Sequence, residues 1–128
     1  MTHRSKIATL MILLLAAGLL LCACNVSSSG SFAIRNQRHH MKEGDIANSY
    51  EYFNGTRTYS LKIKEGATLK ISVTNTSGAL GVSVSGPKGT VLSESPADGS
   101  YDIPITDEGS WSVALTASDH QGSYSITW

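Results

Sequence analysis

An all-β domain, an antiparallel β-sandwich of about eight short strands and jelly-roll-like in outline, is the fold this 128-residue sequence predicts. Two observations predict it. From Tyr50 onward apolar residues recur at every second position, the period of a strand with one buried face, and no helical period competes with it. Turn chemistry built on Gly, Asn, Asp and Pro breaks that alternation roughly every ten residues, the spacing of sandwiches and barrels.

The elements follow in order. Tyr50 and Tyr52 alternate ahead of Asn54-Gly55, a two-residue hairpin signal because such turns need positive φ. Tyr59, Leu61 and Ile63 form the next strand and Lys64-Glu65-Gly66 its turn; Leu69, Ile71 and Val73 then run to Asn75-Thr76-Ser77-Gly78. Leu80, Val82 and Val84 lead to Gly86-Pro87-Lys88-Gly89, followed by a short strand over Thr90 to Ser93 and a loop from Glu94 to Gly99. Tyr101, Ile103 and Ile105 come next, with Pro104 marking an edge or a bulge because it has no N–H for a ladder. Trp111, Val113 and Leu115 end in a turn over Ser118 to Gly122, and Tyr124, Ile126 and Trp128 make the last strand. Trp111, Tyr124 and Trp128 share phase with aliphatic neighbours and are expected in the core.

Ahead of this body the composition changes. His3, Arg4 and Lys6 form a basic start without an acidic residue, and Ile7 to Leu21 is an apolar run of 15 residues. Crossing a bilayer takes about 20 apolar residues, so the run has the length of an export signal rather than of a span. It closes on Leu21-Cys22-Ala23-Cys24. That step resembles the lipobox of bacterial lipoproteins, with Leu at −3, a small residue at −1 and Cys at the cut. The resemblance implies that residues 1–23 are removed and that Cys24 carries a diacylglyceryl/acyl anchor, placing the chain on the extracytoplasmic face of the cell membrane. Removal of the signal would leave Cys24 as the one cysteine, so no disulfide is expected in the mature chain.

Residues 24–31 then read as the lipidated Cys and a Ser/Gly-rich linker, whose seven flexible residues would reach about 15 Å. Residues 32–128 are expected to form the sandwich, on a core of aliphatic and aromatic side chains each contributing roughly 1.5–3 kcal/mol. Phe32 to Lys42 carries Arg35, Arg38, Lys42, His39 and His40 and is expected as a solvated segment with one edge strand. In the mature chain eight basic residues face ten acidic ones, a net charge of −2, which excludes the concentrated positive charge that nucleic acid demands.

Three stretches carry a second resemblance: Lys64-Glu65-Gly66-Ala67-Thr68-Leu69-Lys70-Ile71-Ser72-Val73; Leu80 to Leu92 around Gly86-Pro87-Lys88-Gly89; and Gly109-Ser110-Trp111 with Gly122-Ser123-Tyr124. Over Tyr59 to Trp128 the chain is similar to the bacterial pre-peptidase C-terminal domain, a jelly-roll-like sandwich. The likeness implies an accessory binding role without catalysis.

The residues offer little chemistry. Gly81-Val82-Ser83-Val84-Ser85-Gly86 lacks the second Gly spacing of a nucleophile elbow and no helix follows it. Ser118-Asp119-His120 holds three triad residue types, but neighbours on a turn cannot form a relay. His39, His40, Glu43 and Asp45 lack ligand spacing, and Asp98, Asp102, Asp107 and Glu108 lack the density of a calcium loop, so neither metal nor cofactor is expected. Tyr50, Tyr52 and Phe53 are the candidate ligand-contacting aromatics, because consecutive Tyr52 and Phe53 face opposite ways on a strand. The expected function is a membrane-anchored, non-catalytic interaction module for an envelope protein; the alternative is a carbohydrate-binding module for a cell-wall or extracellular glycan.

Overall fold

A computed structural model describes residues 25–128; the expected signal segment, residues 1–23, and the expected lipid site Cys24 lie outside the described residues. The described chain contains seven strands: β1 (Val26–Arg35), β2 (Arg38–Lys42), β3 (Asp45–Ile63), β4 (Thr68–Gly86), β5 (Gly89–Glu94), β6 (Gly99–Pro104) and β7 (Gly109–Thr127). All pair antiparallel, in the order β1-β3-β7-β4-β5, with β2 added to β3 and β6 added to β4.

Three strands are 19 residues long, and each belongs to both layers of the sandwich. The first layer holds β2, Asp45–Tyr50 of β3, Gly122–Thr127 of β7, Thr68–Asn75 of β4, and β6. The second holds β1, Gly55–Ile63 of β3, Gly109–Ala117 of β7, Ala79–Gly86 of β4, and β5. Between the halves the ladder slips at Tyr50/Phe53, Phe53/Gly55, Asn75/Ser77 and Ser77/Ala79. A bulge adds one residue and sharpens the local bend. The three central strands therefore fold at one rim, and their ends come back together at the opposite end, where Asn25 accepts from Lys62 N–H at 3.0 Å in the second layer and donates through Nδ2 to Glu43 Oε1 at 3.2 Å beside the first.

The expected sandwich is present, but three expected turns are not turns. Asn54-Gly55, Asn75 to Gly78 and Ser118 to Gly122 are the bends of continuous strands. The reason lies in the backbone: Gly55 (φ 112°), Gly78 (φ 73°) and Asp119 (φ 45°) adopt the positive φ that hairpin turns also use. At Gly78 a Cβ would stand 2.1 Å from the Asp119 carbonyl oxygen, so the bend also needs the missing side chain. The turns at Lys64–Ala67, Pro87-Lys88 and Thr106–Glu108 and the loop at Ser95–Asp98 lie where the sequence places them.

A second correction concerns residues 24–31. The part expected as a flexible linker is strand: Val26 pairs with Leu61 and Ser31 with Thr56, so the Ser-rich stretch lies on the second layer as an edge. Pro104 does sit on an edge strand, opposite Thr68.

The core fills the space between the layers. Ile46, Tyr50, Leu69, Ile71, Val73, Tyr124 and Ile126 enter from the first, and Tyr59, Leu61, Ile63, Leu80, Val82, Val84, Trp111, Val113 and Leu115 from the second. Phe53, at the bend, is fully buried, and Trp128 packs partly against the cluster. Within each folded strand the buried positions change parity across the bend. They run 46, 48, 50 and then 53, 57, 59, 61, 63 in β3, and 111, 113, 115, 117 and then 120, 124, 126 in β7. One inserted residue turns the strand over and keeps its apolar side inward after it changes layer.

Candidate binding surfaces and the polar interior

Of the three candidate aromatics, only one is at the surface. Tyr50 (5% exposed) and Phe53 (0%) lie in the core, stacked edge-on at 5.2 Å between ring centroids, and neither has surface to offer a ligand. The cause is the bulge between them, which turns both inward where plain alternation would separate them. Tyr52 is half-buried on the outside of the bend. Its hydroxyl donates to Asp119 Oδ1 at 3.1 Å, which pushes the phenol above its ordinary range, and the Arg35 guanidinium covers its ring at 4.6 Å. Asn54 Oδ1 accepts from the Asp119 N–H at 3.1 Å, and Asn36 Nδ2 donates to Glu51 Oε2 at 2.7 Å nearby. Tyr52 is thus the centre of a closed polar cluster with one ring face already occupied.

Sequence reasoning missed a chain of hydrogen bonds through the sandwich. His120, fully buried, holds Asn75 Oδ1 at 2.7 Å through Nε2 and the Tyr50 hydroxyl at 2.7 Å through Nδ1. Asn75 Nδ2 donates to Ala97 C=O at 2.9 Å, which fixes its amide so that Oδ1 is the acceptor facing His120. Nε2 therefore carries the proton, Nδ1 accepts from the Tyr50 O–H, and the ring is neutral. Burial holds the His120 pKa below the ordinary histidine value and pushes the Tyr50 phenol well above its own. Both groups stay uncharged near neutrality.

A second chain joins the layers. The Tyr59 and Tyr124 hydroxyls bond to each other, His39 Nε2 lies 3.0 Å from the Tyr59 hydroxyl, and Asn48 Nδ2 donates to the Tyr124 hydroxyl at 3.2 Å. Burial foremost, with Arg57 and His40 adding to it, lowers the His39 pKa. Arg57 is 7% exposed, its guanidinium lying 4.9 Å over Phe32 and 5.2 Å over Tyr59, with Nη2 donating to Ser28 Oγ at 3.2 Å. The partners in these chains are up to 76 residues apart, so no local motif announces them.

The arrangement does not provide a catalytic relay. In Ser118-Asp119-His120, Asp119 is held by Tyr52 and His120 by Tyr50 and Asn75, so the aspartate and the imidazole face different partners. His40 Nε2 approaches Asp45 Oδ2 at 3.5 Å, whereas His39 turns to Tyr59, so the adjacent histidines point apart. Among the described residues no three His, Cys, Asp or Glu side chains gather as metal ligands.

The surface divides into edges, faces and ends. On the outside of the first layer Ser49, Ser72, Ser123 and Ser125 floor a shallow cleft of about 220 Å³, and Arg38 stands at its side. The outside of the second layer is rich in serine, with rows that pair Ser27 with Ser60, Ser60 with Ser112 and Ser112 with Ser85. Of the four edge strands, three are guarded against further pairing. β2 carries Arg38 and Lys42, β5 ends on Glu94 and contains a bulge, and β6 carries Asp102 and Pro104. β1 is different: from Val26 to Ile34 it has no charge and no proline. Because Lys62 N–H donates to Asn25 C=O at 3.0 Å, the antiparallel alternation directs the backbone groups of Val26 and Ser28 to the open side.

Fold and surface together define an all-β module whose polar interior is closed and whose contacts lie on faces and edges. No family model matches the chain, and no curated protein does. Among solved structures it is similar to PliG of Aeromonas hydrophila, a periplasmic inhibitor of g-type lysozyme. The two share 11% identity over 80% of this chain and 85% of that chain, with a TM-score of 0.48. It is also similar to the xylan-binding module CBM86 of Roseburia intestinalis, with 11% identity over 80% of this chain and 90% of that chain and a TM-score of 0.37. The C-terminal domain of A223, a structural protein of sulfolobus turreted icosahedral virus, gives 16% identity, 79% and 94% coverage and a TM-score of 0.40. No helix of the described residues is long and apolar enough to cross a membrane.

Proposed function

We propose that this chain is an extracytoplasmic lipoprotein, anchored through Cys24, whose sandwich binds a protein partner by strand addition along β1 and has no catalytic activity of its own. The observation that carries the binding mode is the contrast among the four edges. An uncharged nine-residue stretch of edge, Val26 to Ile34, beside guarded ones is a template for a partner strand, which would gain main-chain hydrogen bonds along it. The Ser-rich composition suits this, since small side chains leave the open backbone accessible. The anchor rests on the Leu21-Cys22-Ala23-Cys24 step.

Two measurements test the reading. Cys24→Ala should shift the protein from the detergent phase to the aqueous phase in detergent partition, and unchanged partition would refute the anchor. A photo-crosslinker at Ser29 should trap an extended segment of an envelope protein, with trapping lost in a Ser29→Lys/Ser31→Lys variant that melts as the wild type does. The soluble form for such work begins at Asn25, because starting at Phe32 would delete more than half of β1. A glycan-binding reading would instead show retention on cell-wall polysaccharide that Tyr52→Ala abolishes, and that result would overturn strand addition.

A further inference from the structure

The end of the sandwich opposite the bends is open. There the two layers part around a hollow of about 770 Å³ lined by Asn25, Glu43, Lys62, Lys64, Glu108 and Trp128 among others. Buried Ile63 and partly buried Ala67 and Trp128 line it too, the last two packed against the core. Asn25 is fixed at this mouth by both layers. Its carbonyl accepts from Lys62 N–H at 3.0 Å in the second, and its Nδ2 donates to Glu43 Oε1 at 3.2 Å at the turn of the first.

Asn25 is bonded directly to Cys24. If Cys24 bears the lipid, no linker remains between the acyl chains and the sandwich, because the residues expected to supply one are paired in β1. We propose that the phospholipid bilayer covers this open end. The sandwich would stand on the membrane with Trp128 in the interfacial layer, Lys62 and Lys64 against lipid phosphates, and the bends at Gly55, Gly78 and Asp119 pointing away. The proposal rests on the lipoprotein reading given above. The chemistry of the mouth fits the occupant: a partly buried tryptophan at a surface favours the headgroup region. Lys62 and Lys64 can meet lipid phosphates by charge, and Glu43 and Glu108 sit where the ammonium groups of zwitterionic lipids can meet them.

The test uses the full lipidated protein in vesicles of phosphatidylcholine and phosphatidylglycerol, with bromine atoms placed high on the acyl chains as a quencher. Trp111 is 3% exposed, so quenching should come from Trp128: the wild type should lose a large share of its emission, and Trp128→Phe should show almost none. Lys62→Glu/Lys64→Glu should reduce the quenching at least twofold. As a readout free of substitutions, amides at Lys64–Ala67 should exchange more slowly in vesicles than in detergent, while those at Ser77-Gly78 stay unchanged. Equal quenching in wild type and Trp128→Phe, or protection at Ser77-Gly78 instead, overturns the orientation while mass spectrometry still shows lipid on Cys24. Absence of that lipid overturns the lipoprotein reading and this inference with it.

Discussion

Tyr50→Phe removes one oxygen atom and leaves the ring, so its cost isolates one link of the buried chain. The ring keeps its packing against Phe53, His120 and Tyr124. What changes is His120 Nδ1, which loses the 2.7 Å donor that satisfies it inside a fully buried side chain. An acceptor left without a partner costs about 1–3 kcal/mol. For a domain of this size each kcal/mol moves the midpoint by about 4–8 °C, so the melting temperature should fall by roughly 4 to 24 °C. Thermal unfolding followed by near-UV circular dichroism reads this directly. The same substitution in a His120→Phe background should cost almost nothing, since no acceptor remains, giving a coupling of about 1–3 kcal/mol between the two sites. A Tyr50→Phe protein as stable as the wild type, or an equal cost in both backgrounds, would refute the Tyr50–His120 hydrogen bond.

Other expectations follow from the same structure. His120 and His39 both have folded pKa values below the ordinary 6.5, so between that value and the folded ones the unfolded chain binds more protons. Stability should therefore be complete above about pH 6.5 and fall as the pH drops through the folded values, with His120→Phe flattening the slope of denaturation midpoint against pH. Gly78→Ala adds left-handed strain of about 1–2 kcal/mol to a collision with the Asp119 carbonyl, whereas Gly66→Ala, at φ 91° with nothing within 4 Å, adds strain alone. Chemical denaturation should rank Gly78→Ala as clearly the more damaging, and equal losses would argue against the close approach at the bend.

The alternation from Tyr50 onward was enough to place nearly every buried apolar residue, because a strand with one covered face repeats every second position whatever its neighbours. Continuity of the strands was hidden. Bulges and hairpin turns draw on the same residues, Asn, Asp and Gly, for the same positive φ, so Asn54-Gly55 and Ser118 to Gly122 carry a turn signal in a chain that does not turn back. The change of parity between Tyr50 and Phe53, between Val73 and Leu80 and between Ala117 and His120 was in the sequence. A two-residue hairpin pairs residues i and i+3 on one face and so changes parity just as a bulge does, which left the two alike in the pattern. β1 was hidden for another reason: Ser27 to Ser31 has the composition of a linker, and only pairing with Thr56–Ser60 makes it strand. The interior chain linking Asn75, His120 and Tyr50 could not be read locally, since its geometry exists only once the layers close.

The place of β7 between β3 and β4 in both layers has a consequence for how the chain acquires its shape. Neither layer has its central ladder until Gly109–Thr127, last of the strands in chain order, has arrived. The strands up to β6 lack the one that joins them, so the two halves of β3 and β4 gain their shared ladder together when β7 is in place. Because every central strand crosses from one layer to the other, no half of the domain has a core to collapse on early.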